Sequence, residues 1–88
     1  MISFEVYPGF NRAYKKRIAP SRKLRQKVKE RIALFQANPK SPLLNDHSLK
    51  GDKSGYRAFS VTGDMRIIYY MDHDTVYFVD IGTHNQVY

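Results

Sequence analysis

His47 and His84 flank a stretch of chain that also carries Arg57, Asp64 and Arg66, and the final residues run His84-Asn85-Gln86-Val87-Tyr88. An imidazole gives and takes protons near neutral pH. A guanidinium grips a phosphate and steadies charge as it develops, and an aromatic ring stacks on a base. Acid–base cleavage of a phosphodiester uses all three. Plainer readings stand beside these. Arg66 set against Asp80 would be an ordinary ion pair on a sheet surface. Asp64 falls in a hairpin turn, where aspartate is common, and His73, between Asp72 and Asp74, has a turn setting as well.

The chain has no glycine-rich phosphate loop, no nucleophile elbow and no His-Glu-x-x-His helix. It also lacks cysteine, which removes disulfides, thiolate nucleophiles and cysteine-containing zinc sites. Three scattered histidines do not suggest a metal centre. What remains is acid–base chemistry without metal or other cofactor, on a substrate that brings its own nucleophile. RNA brings one in its 2′-hydroxyl.

The elements that must position these residues follow from the pattern. Ile2 to Tyr7 alternates with period two and reads as a half-buried strand, stopped by Pro8-Gly9. A short helix is expected over about 9–17, with Phe10, Ala13 and Tyr14 on one side. A longer one is expected over about 21–37, with Ser21 as N-cap and a stripe of Leu24, Val28, Ile32 and Phe35. Asn38-Pro39 ends it. The two helices, joined so closely, are expected to form a hairpin. Lys40–Gly55 reads as a long loop. Tyr56–Val61, Met65–Met71 and Thr75–Ile81 then form an antiparallel meander, with His84 exposed in a loop beyond its last strand. If both turns hold three residues, Phe59 faces Ile67, Tyr69 faces Tyr77, Ile67 faces Val79 and Met65 faces Ile81. Ser60, Arg66, Ile68, Phe78 and Asp80 would then share the other face. The fold class is α+β, in the order β-α-α-β-β-β, as a single domain over 1–88 with a small antiparallel sheet packed on a helical hairpin.

Charge is uneven. Residues 1–31 carry ten Lys/Arg against Glu5 and Glu30, whereas residues 32–88 carry five against six Asp. The net +7 is therefore concentrated on the helices, where it favours a polyanionic partner over a merely solvated face. No apolar run is long enough to span a bilayer, and the opening residues lack a signal-peptide pattern, so no membrane role and a cytoplasmic location are expected.

Taken in order, His47-Ser48-Leu49-Lys50-Gly51, Gly55-Tyr56-Arg57, Gly63-Asp64-Met65-Arg66-Ile67-Ile68-Tyr69-Tyr70 and Ile81-Gly82-Thr83-His84 resemble the RelE/ParE superfamily of small bacterial toxins. The likeness is greatest to its YafQ-type branch of RelE-like mRNA interferases, and it covers essentially the whole chain. It implies a toxin of a type II toxin–antitoxin pair, a hydrolase that enters the ribosomal A site and cuts mRNA. The implied partners are message, ribosome and an acidic antitoxin. It places functional positions on His47, Asp64, His84 and Tyr88, with Arg66 near the scissile phosphate; Lys50, Arg57 and Ser60 are expected to bind substrate. Two positions depart from the pattern. Ser60 stands where the branch has a histidine, or Phe59 if the alignment slips by one, and Met65 stands where it has an aromatic residue. The alternatives are a ParE-like inhibitor of DNA gyrase, or an RNA-binding homologue with weak or no activity.

Overall fold

The computed structural model describes residues 2–88. Strand β1, Ser3–Val6, leads into helix α1, Pro8–Arg17, which opens on a proline whose missing N–H costs nothing at that position. Helix α2, Arg22–Ala37, starts at Ser21, whose hydroxyl accepts a hydrogen bond from the Leu24 N–H at 3.2 Å. It ends at Asn38, ahead of Pro39. Both helices fall where the sequence places them.

The meander also forms, as β3 (Arg57–Ser60), β4 (Met65–Asp72) and β5 (Thr75–Thr83), with Phe59 opposite Ile67. One further strand and one further α-helix arise from segments read as loop. His47–Ser48 pairs with Arg57–Ala58 as a short strand β2, and His84–Val87 forms a one-turn helix α3. The five strands run in the order β1-β5-β4-β3-β2, and β1 joins β5 in parallel, so the sheet is mixed.

The second hairpin turns in two residues rather than three. Asp72 pairs with Thr75, and His73 takes a positive φ of 56° in between. A two-residue turn alone would invert the faces of β5. A bulge corrects this partway: Tyr69 pairs with Phe78 and Ile68 with Asp80, leaving Val79 as the extra residue. Val76 and Phe78 therefore face the core in place of the expected Tyr77 and Val79, while Ile81 still faces inward. Asp80 remains on the outer face, as expected.

The core lies between the helices and one sheet face. Phe35 of α2 is at its centre, stacked on Phe59 with ring centroids 4.6 Å apart and edge-on to Tyr69 at 5.0 Å. The other face is only partly covered. There Val87 of α3 packs with Ala58 and Ile68, joined by Leu49, Tyr56 and Val79. Among the described residues no helix is long and apolar enough to cross a membrane.

Candidate functional site

Pairing fixes which side chains share the partly covered face. Ser60 lies opposite Arg66, and Arg66 lies opposite Gly82, giving one row across three strands. Arg66 Nη1 donates to Ser60 Oγ at 2.8 Å, so Ser60 holds the guanidinium in place. The surface pairing of Arg66 with Asp80 does not form. Asp80 lies opposite Ile68 and takes Arg17 Nη1 at 3.4 Å instead.

His84 is the first residue of α3. The side chain of Gln86 folds back to accept the Thr83 N–H at 2.8 Å. Thr83-His84-Asn85-Gln86 is a capping-box pattern, a signal in the sequence that identifies this turn as helical. One turn on, Tyr88 meets His84 edge-on, with centroids 4.5 Å apart. Both rings are exposed, and Tyr88 lines a shallow cavity with Leu49, Lys50 and Lys53. His47 is exposed on β2, in the row of Ala58 and Ile68. Its Nδ1 lies 2.8 Å from the Asn45 carbonyl. A carbonyl only accepts, so Nδ1 carries a proton, and in the neutral ring Nε2 is the nitrogen with the lone pair. Asp64 is exposed in the β3–β4 turn, at the end of the sheet that holds Ser60 and Arg66, and makes no ion pair among the described residues.

One expected substrate-binding residue lies elsewhere. Arg57 is opposite Tyr69, on the core-side face, and its Nε donates to Asp46 Oδ1 at 3.1 Å and to the Tyr69 hydroxyl at 3.3 Å. Phe59, two residues on, faces the core, so alternation along β3 already puts Arg57 on that side. The Tyr69 hydroxyl donates to the other oxygen of Asp46. This trio borders an open cavity of about 950 Å³ with Phe4, Phe35 and Met71, on the side away from Arg66. Asp46 and Arg17 are the two polar residues of evident structural weight that the sequence pattern leaves unmarked.

The Asp46 contact has a consequence for pH dependence. Burial first, and then the hydrogen bond to Asp46, pushes the Tyr69 phenol well above its usual range. An unfolded chain releases that proton at about pH 10, while the folded one retains it. The stabilisation is thus complete below pH 10 and declines as pH rises further, by about 1.4 kcal/mol per unit. Tyr69→Phe should be less stable than wild type at neutral pH, and the gap should narrow above pH 10. Denaturant melts between pH 8 and pH 11 measure this, and a constant gap would refute it.

A mixed five-stranded sheet backed by two basic helices, with an Arg–Ser pair, two exposed histidines and an aromatic residue on its other face, has the architecture of the RelE/YafQ fold. The family model for the bacterial toxin of type II toxin-antitoxin systems, YafQ, matches residues 2–88, and the chain belongs to that family. Solved structures agree. The toxin in an E. coli DinJ-YafQ toxin-antitoxin complex is 26% identical with a TM-score of 0.81, covering 99% of this chain and 97% of that one. A metal-bound toxin from Helicobacter pylori is 23% identical (TM-score 0.79, full coverage of both chains). A YoeB/ParE toxin from Agrobacterium tumefaciens is 18% identical, with a TM-score of 0.76 over 94% of this chain and 99% of that one. No curated protein sequence matches.

Proposed function

We propose that this toxin is a ribosome-dependent endoribonuclease that cuts mRNA in the A site by acid–base catalysis. The observation that carries the reading is the Ser60–Arg66–Gly82 row at the end of the sheet face that bears α3, with its exposed His84 and Tyr88. The 2′-hydroxyl of one nucleotide attacks the adjoining phosphate, leaving a 2′,3′-cyclic phosphate and releasing the 5′-oxygen of the next nucleotide. His84 protonates that leaving oxygen. His47 through its free Nε2, or Asp64, accepts the 2′-proton. Arg66 stabilises the crowded phosphorane, Lys50 adds positive charge, and Tyr88 stacks on a base. Ser60 holds Arg66 and exchanges no proton near neutral pH, so the site works with one histidine fewer than its branch.

The structure of the E. coli relative bound to DinJ supports a proteinaceous antitoxin here too, an acidic one whose extended segment wraps this basic body. Mapping mRNA ends after incubation with translating ribosomes tests the function. Sharp cuts at A-site codons are expected. An intact message, together with DNA linearised in a gyrase reaction, would move the chain to the gyrase-inhibitor class.

A further inference from the structure

The sheet is narrower at its Ser60–Arg66–Gly82 end. β1 accompanies β5 only as far as Phe78, and β2 accompanies β3 only at Arg57 and Ala58, so three strands continue beyond the two edge strands. This leaves a notch at each edge, and a basic helix lines each one. At the β5 edge, Arg12, Lys16 and Arg17 of α1 border a cavity of about 410 Å³ with Gly9 and Asp80. At the β3 edge, Lys27 and Arg31 of α2 border one of about 480 Å³ with Ser60, Thr62 and Gly63. The row between them spans two strand spacings, about 10 Å.

Arg17 links its notch to the row. Its Nη1 donates to the Ile81 carbonyl at 2.9 Å, and a Cβ on Gly82 would lie only 2.7 Å from that nitrogen. The guanidinium therefore occupies the space a side chain at position 82 would fill, next in the row after Arg66. Its Nε and Nη2 make no hydrogen bond among the described residues. Unlike Arg17, the other cations in the notches are not neutralised by an ion pair among the described residues. The ion pairs among the described residues are Arg17–Asp80, Arg57–Asp46 and His73–Asp72, which leaves Arg12, Lys16, Lys27 and Arg31 without acidic partners. Arg12 and Lys16 stand four apart on α1, which has no acidic residue, a spacing at which like charges repel.

We propose that the two notches are one track for single-stranded RNA. The backbone enters past Lys27 and Arg31, crosses the Ser60–Arg66–Gly82 row and leaves past Arg17, Lys16 and Arg12, or runs the opposite way, so that phosphates on both sides of the scissile one are held. This rests on the nuclease reading for the identity of the substrate, but it is a statement about binding. The flanking contacts fix the strand across Arg66, so the chemistry needs less help from Ser60.

The probe is a fluorescein-labelled single-stranded 2′-O-methyl oligoribonucleotide of about ten nucleotides, within the range that small single-strand binders cover. It has no free 2′-hydroxyl and cannot be cut by the proposed route. Fluorescence anisotropy across a salt series should show Lys16→Ala and Lys27→Ala each lowering the log–log salt slope by about 0.7, and the double variant by about twice that. Lys23→Ala, on α2 but outside both notches, should leave it unchanged. A Lys23→Ala effect as large as the others, dependence on one notch alone, absence of binding, or tighter binding of a duplex of the same sequence would each overturn the track. Binding as described by a protein that leaves message on ribosomes intact would defeat the nuclease reading and leave the track standing.

Discussion

His84→Ala should abolish mRNA cleavage while leaving the fold in place. General acids typically contribute about 10²–10⁴-fold, and the adjoining Asn85 and Gln86 do not ionise. His84 is exposed at the first position of a one-turn helix, so its loss removes mainly the edge-on contact with Tyr88. The melting free energy should change by less than about 1 kcal/mol, as for most surface substitutions. Cleavage on programmed ribosomes and a thermal melt together test this. A variant that cuts at the wild-type rate removes His84 from the mechanism, and one that unfolds assigns it a structural role.

Gly82→Ala should impair both stability and activity, for a reason of space. The backbone at Gly82 needs no positive φ, but a Cβ there would lie 2.7 Å from Arg17 Nη1 and 2.8 Å from Gln86 Oε1. Both groups are already engaged, Arg17 with the Ile81 carbonyl and Gln86 with the Thr83 N–H. Alanine forces one or both away. Losing a helix cap costs about 1 kcal/mol, and losing a hydrogen bond to a charged group costs about as much or somewhat more. A total near 2 kcal/mol lowers the midpoint by roughly 8–16 °C in a domain of this size. Cleavage should fall at least tenfold, because α3 opens on His84 and positions Tyr88 just beyond its end. Calorimetry and single-turnover cleavage would show it, and a variant indistinguishable from wild type would mean that α3 is not held in this way.

The parts legible in sequence are those with local causes. Ser21, the Leu24–Phe35 stripe and Pro39 define α2 without tertiary help, and Phe59 opposite Ile67 follows from a short turn. The parallel docking of β1 against β5 is a pairing across some seventy residues, and nothing near either strand encodes it. The bulge at Val79 was equally hidden, since a valine in a strand of Val, Tyr, Phe and Ile carries no mark of being the extra residue. Its effect is to undo, beyond Phe78, the inversion that the two-residue turn imposes, so that Ile81 faces the core and Asp80 the outer face.

The candidate site divides in the same way. The Ser60–Arg66 pair follows from alternation and the first hairpin, and α3 follows from a capping box that was present to be read. Arg57 was separable by the parity of Phe59. Arg17 was not legible, because its place beside Arg66 depends on a bare glycine on a distant strand and on where α1 meets the edge of β5.

Attack by the 2′-hydroxyl is the central claim, and one substitution in the substrate tests it most directly. A short message carrying a single 2′-deoxynucleotide immediately upstream of the mapped cut, programmed into ribosomes beside its all-ribo counterpart, should resist cleavage at that bond, while the counterpart is cut and leaves a 2′,3′-cyclic or 3′-phosphate end. Equal cleavage of the two messages would contradict the account.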